Sequence, residues 1–106
     1  VVEFLDICPA QDTIEPYRLL EGTSDIGDIM LLKALARKFD ACRFLEIGTW
    51  RGETVANVAK VARECVTVDL PDKRRKGIPD IHGFFSKQDN IRHVFDILNS
   101  VDSVIP

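Results

Sequence analysis

The chain is poor in most of the features that betray a function at once. No apolar run approaches the ~20 residues a membrane-crossing helix needs. Glu3 and Asp6 stand where a signal peptide would carry a basic start, so the opening is not read as one. Three cysteines, Cys8, Cys42 and Cys65, are odd in number and widely spaced, with no Cys-x-x-Cys pair and no Cys/His metal spacing. They read as buried or incidental thiols in a reducing compartment, and a cytoplasmic location is expected. His82 and His93 lack a Glu or Cys at ligand spacing, so no metal site is expected. The net charge is −3, which gives no bulk electrostatic case for nucleic acid or for an anionic membrane surface. Internal repeats and low-complexity stretches are also missing.

What is present is an ordinary globular composition, 45% hydrophobic and 29% charged over 106 residues. That length suits one domain or part of one, with a single modest core. Residues 1–22 form an irregular lead-in punctuated by Pro9 and Pro16, with room for a helical turn or two from Glu15 to Leu20. Residues 23–106 carry the periodic patterns. Thr23 or Ser24 is placed to cap a helix, with Asp25 and Asp28 in its first turn. Ile26, Ile29, Met30, Leu35 and Phe39, widened by Leu31, Leu32, Ala34 and Ala36, predict a well-buried helix that ends near Arg37 and Lys38.

The centre of the chain is Arg43-Phe44-Leu45-Glu46-Ile47-Gly48-Thr49-Trp50-Arg51-Gly52-Glu53-Thr54. A near-continuous apolar run up to Gly48 predicts a parallel strand covered on both faces. Val55, Val58, Ala59 and Ala62 then predict a helix from Thr54 to Ala62, and Cys65 to Leu70 a second strand. Strand, loop, helix and strand make a βαβ unit, which forces parallel pairing. Pro71 to Gly83 is a polar loop around Lys73-Arg74-Arg75-Lys76, a run more typical of a solvated loop than of a phosphate site. Ile91, Val94, Phe95 and Leu98 fit a helical period, yet Ile91 to Phe95 also reads as a strand ending at Asp96.

Glu46 closes the first strand and Asp69 the second, and in open α/β sheets the ligand crevice lies beyond those carboxyl ends. Asp69 suits a ribose diol. Gly48 permits a sharp turn, and Gly52 permits close approach to the helix start. A dinucleotide loop wants G-x-G-x-x-G. Here Trp50 replaces the second glycine, and Glu46 and Glu53 add negative charge where phosphates would sit. The residues favour a nucleoside ligand without phosphates and with a cationic part, against an oxidoreductase with an atypical loop and against a plain turn that binds nothing.

From Gly22 to Leu70 the chain resembles the class I S-adenosylmethionine-dependent methyltransferases, especially their small-molecule O-methyltransferase branch. The likeness rests on the leading helix, on Leu45-Glu46-Ile47-Gly48-Thr49-Trp50-Arg51-Gly52-Glu53-Thr54, and on Val66-Thr67-Val68-Asp69 in order. It implies an α/β, Rossmann-like fold: a partial doubly wound parallel sheet holding the first three strands of the family's 3-2-1-4-5-7-6 order. It implies S-adenosylmethionine as cofactor, with Glu46, Gly48 and Gly52 around its methionine part and Ile47, Thr49, Trp50 and Thr54 also among the cofactor-binding residues. Asp69 would take the ribose, and Leu70 and Asp96 the adenine. The methyl acceptor would be a small molecule, and no catalytic residue is assigned. The family continues where this chain stops, so a cofactor-binding half with little turnover of its own is expected, its first strand open to pairing with another copy. A non-catalytic nucleoside-binding or assembly module, or part of an NAD-type oxidoreductase, are the alternatives.

Overall fold

The computed structural model describes residues 12–17, 24–69 and 88–95. Its elements follow in the order α1 (Ile26–Arg37), β1 (Arg43–Ile47), α2 (Glu53–Val58), β2 (Glu64–Asp69) and β3 (Ile91–Phe95). The three strands form one sheet in the order β1-β2-β3, and both pairings are parallel. The chain is therefore a small α/β domain whose topology is compatible with part of a Rossmann-like fold.

Register explains the core. Phe44, Cys65 and Ile91 stand side by side across the sheet. All three pack with Ala36 of α1 and with Val55, Val58, Ala59 and Ala62 in and just after α2. Side chains alternate between faces along each strand, so this row defines the helix-covered face. The next row on that face is Glu46, Thr67 and His93. Val66 and Val68 point the other way and cluster with Val94. Ile29, Val55 and Val58 have no exposed surface. Burying each such side chain contributes about 1.5–3 kcal/mol.

Several expectations from the sequence change here. Asp25, not Ser24, caps α1: its side chain accepts from the Gly27 N–H at 2.8 Å. The buried stripe of α1 is narrower than its apolar pattern, with Ile29, Lys33, Ala34 and Ala36 inside while Leu35 and Phe39 are exposed. Small alanines let α1 approach its neighbours closely, and the larger residues are left at the rim. β1 is not covered on both faces. It is an edge strand among the described residues, and Leu45 and Ile47 are exposed on the side away from the helices. The helix after the glycine loop stops at Val58, and residues 59–63 continue as turns. Asn90 closes that end, donating to the carbonyls of Ala59 and Ala62 at 2.8 and 3.1 Å. Ile91–Phe95 is a strand, which settles the ambiguity there against the helix. Within the lead-in, residues 12–17 contain no helix. The charged run 73–76 and the rest of its loop lie outside the described residues.

Candidate functional site

The loop from Gly48 to Gly52 joins the carboxyl end of β1 to α2. Its first peptide continues the sheet, the Gly48 N–H donating to the Val68 carbonyl at 2.8 Å. Gly48 then takes φ +93°, Trp50 φ +52° and Gly52 φ +83°. The two glycines reach this region at no steric cost, whereas a bulky residue pays for it. The Gly52 N–H donates back to the Thr49 carbonyl at 2.9 Å, which closes a tight turn.

This backbone sorts the loop's side chains. Thr49 and Arg51 are buried, together with Glu53 at the start of α2. The Thr49 and Thr67 hydroxyls lie 2.6 Å apart, and the Thr67 hydroxyl donates to Glu46 Oε1 at 2.9 Å. The loop is therefore tied to the centre of β2 and, through it, to the acid on β1. Arg51 Nε sits 3.4 Å from Glu53 Oε1, a buried ion pair. That pairing corrects one step of the sequence argument. Glu53 does not present bare negative charge to a ligand, because a guanidinium beside it carries the opposite charge.

The acids at the two strand ends are Glu46, which lines the crevice, and Asp69, which borders its loop. Burial pushes the Glu46 carboxyl up to about 7, against the opposing Thr67 hydrogen bond and with a smaller upward push from the neighbouring Asp69 charge. Near neutral pH Glu46 is thus divided between its two forms. A cation entering the crevice favours the ionised form and draws out the proton. Asp69, at the end of β2, accepts the Trp50 backbone N–H on Oδ2 at 2.8 Å.

A cavity of about 130 Å³ opens beside these groups, lined by Glu46, Gly48, Thr49, Trp50 and residues 51–54, with Ser24 from ahead of α1. Drug-sized ligands usually occupy roughly 300 Å³ or more. The cavity itself therefore holds only a small polar part of such a ligand, the rest of which lies outside it.

Of the residues singled out from the sequence, Glu46, Gly48, Thr49, Trp50, Gly52 and Thr54 come together around this cavity. Asp69 borders the same loop through its bond to Trp50. Ile47 does not join them: it lies in register with Val68 on the opposite face, three-quarters exposed. Leu70 and Asp96 lie outside the described residues. Two lining residues, Ser24 and Arg51, were not foreseen, and Glu53 was expected there only as a source of negative charge. Ser24 reaches the site because its Oγ accepts from Thr54 Oγ1 at 3.3 Å, a contact across thirty positions of chain that no local pattern announces. The alternation of small and charged residues after Gly48 was the available signal for Arg51 and Glu53.

No protein-family model matches this chain, and no curated protein matches it. Among the described residues no cluster of His, Cys, Asp and Glu is arranged to hold a metal ion, and no helix is long and apolar enough to cross a membrane.

Proposed function

We propose that the chain binds S-adenosylmethionine and forms the cofactor-binding part of a methyltransferase that acts on a small molecule. The observation that carries this reading is the pair of carboxylates at adjacent strand ends. Glu46 and Asp69 flank one glycine loop and sense each other's charge. Asp69 offers a carboxylate to a ribose diol at the carboxyl end of the sheet, where open α/β folds place their ligands. Glu46 offers a second, poised near neutral, to the cationic amino-acid end. The small polar cavity beside Glu46 suits that end in size and lining.

The bound group supplies an activated methyl for in-line displacement by an oxygen, nitrogen or carbon nucleophile. The chain's own residues bind and orient it: the loop fixes the amino-acid end, Asp69 the ribose, and residues near Leu70 and Asp96 are the candidates for the adenine. Catalysis in such a transfer comes mainly from positioning. A dinucleotide is disfavoured because Trp50 fills the second glycine position and two carboxylates face the space that a pyrophosphate would need.

Isothermal calorimetry on the chain with S-adenosylmethionine, S-adenosylhomocysteine and NAD tests the reading. The two adenosyl ligands should bind and Asp69→Ala should abolish that binding. Preference for NAD, or adenosyl binding untouched by Asp69→Ala, overturns it.

A further inference from the structure

We infer that Asn57 is a positioning residue that joins the lead-in to the wall of the cavity, so that docking of residues 12–17 and occupation of the cavity favour each other. The inference rests on the nucleoside reading above and adds a segment, remote in sequence, that regulates the same site.

The joint is a single buried amide. Asn57 has no exposed surface. Its Oδ1 accepts the Glu15 N–H at 2.8 Å, and its Nδ2 donates to the Pro16 carbonyl at 2.9 Å. The same Nδ2 donates to the Glu53 carbonyl at 2.8 Å. Both amide hydrogens are thereby committed, one to the lead-in and one to the first turn of α2. That turn carries Glu53 and Thr54, and both line the cavity. A second tie runs to the rim. The Tyr17 hydroxyl donates to the Ser24 carbonyl at 3.2 Å, and Ser24 Oγ accepts from Thr54 Oγ1 at 3.3 Å. Ser24 lines the cavity as well.

Coupling follows from what a buried amide can tolerate. When residues 12–17 lift away, the Asn57 carbonyl oxygen and one of its amide hydrogens lose their partners in a dry place, which is costly. The amide group is planar, so turning it to find new partners breaks its bond to Glu53. The wall at Glu53 and Thr54 is therefore best defined while the lead-in is docked. A ligand that touches this wall prefers the docked form, and by linkage it holds the lead-in down by the same factor. The lead-in is suited to such a role. Residues 12–17 contain no helix or strand, and Thr13 and Glu15 are exposed, so the segment can open without the sheet.

The probe is S-adenosylhomocysteine. Exchange of the Glu15 amide is followed by NMR in the free chain and with ligand at about a hundred times its Kd. In the free chain this amide should be less protected than those of β2. Ligand should raise its protection about tenfold, the size of an ordinary coupling between sites. An opening that left the cavity unchanged would gain nothing, because the open form would keep its ligand. Calorimetry should find binding about tenfold weaker in Asn57→Ala, the reciprocal of the same coupling. Glu15→Pro removes the N–H that Asn57 accepts but spares the bond from Asn57 to Glu53, and should weaken binding by a comparable factor. Circular dichroism checks that both variants fold; should either fail, the wild-type exchange and the other variant decide. Glu15 protection unchanged by ligand overturns the inference, as does protection already equal to that of β2 in the free chain. So does affinity kept within about twofold of wild type in either folded variant. Wild type that binds no ligand overturns the nucleoside reading and this inference with it, whereas binding without coupling overturns the inference alone.

Discussion

Thr67 donates its hydroxyl hydrogen to Glu46 across 2.9 Å, from a side chain with no exposed surface. The bond couples the middle of β2 to the acid at the loop, and it works against the burial and the Asp69 charge that lift the Glu46 carboxyl to about 7. The direction of the pH effect follows. Unfolded, Glu46 ionises near 4.5; folded, it keeps its proton until about 7. This raised value means the folded chain loses stability as pH climbs from 4.5 to 7, then levels off. Glu46→Gln should therefore stabilise the chain at pH 8, by up to about 3 kcal/mol, and leave it unchanged at pH 4. Urea unfolding at the two pH values reads this directly. An equal effect at both would discard the account of Glu46. Thr67→Val removes the one hydrogen bond that favours ionisation, so a carboxyl titration by NMR should place Glu46 higher still.

Asp12 in the lead-in is the opposite case. Its carboxylate receives Lys33 Nζ at 3.0 Å and both terminal nitrogens of Arg37, at 2.8 and 3.0 Å. The Arg37 hydrogen bonds, with those from Lys33, hold it well below the usual carboxylate range despite burial. Its stabilisation is in place above the unfolded value of 3.8 and is lost as pH falls towards the depressed folded value. The side chains of Asp12 and Lys33 are 3% and 4% exposed. Asp12→Asn leaves the Lys33 ammonium buried, with the Thr13 carbonyl at 2.7 Å but no countercharge at Asp12. Breaking a buried pair in this way costs about 3–5 kcal/mol. A shift under about 0.5 kcal/mol in urea unfolding, the size of a neutral surface change, would show that the pair does not hold the lead-in to α1.

The parts of the fold legible in the sequence are those that local pattern controls. Val66-Thr67-Val68 is β-branched throughout and became the central strand, buried on both faces. Gly48 and Gly52 announced the turn because only glycine takes their dihedral angles without strain. Glu46 and Asp69 were found because polar residues at the ends of apolar runs have few structural reasons to be there. Ile91 to Phe95 was ambiguous for a physical reason: Ile91, Val94 and Phe95 fit a helical period, yet so short an apolar run can also form a strand, and pairing with Cys65 to Asp69 makes the choice. The exposure of Ile47 was not legible in the composition of β1; only the resemblance, through its strand order, pointed to an open first strand. Asp12, Ser24 and Asn57 were missed for a common reason. Each gains its role from a partner twenty or more positions away, and the chain path alone determines such meetings.

Asn57 is the most consequential of these. It sits on α2 with no exposed surface, an unusual place for an amide unless every polar atom is satisfied. Its Oδ1 accepts the Glu15 N–H at 2.8 Å, and its Nδ2 donates to the carbonyls of Pro16 and Glu53 at 2.9 and 2.8 Å. Lys60 adds a bond from its ammonium to the Glu15 carbonyl. The lead-in is thereby fastened to the helix that the glycine loop opens. Asn57→Ala removes one acceptor and two donors from a dry region and should cost roughly 2–4 kcal/mol, since each abandoned buried group costs about 1–3 kcal/mol and part is recovered by relaxation. The loss should be local before it is global. In native-state hydrogen exchange the Glu15 amide should lose protection in the variant by more than the amides of β2, whose ladder bonds to β1 and β3 are untouched. Equal loss at both positions would mean that Asn57 supports the core as a whole and not the strap. Unchanged protection at Glu15 would mean that the Lys60 and Asp12 contacts suffice to hold the segment.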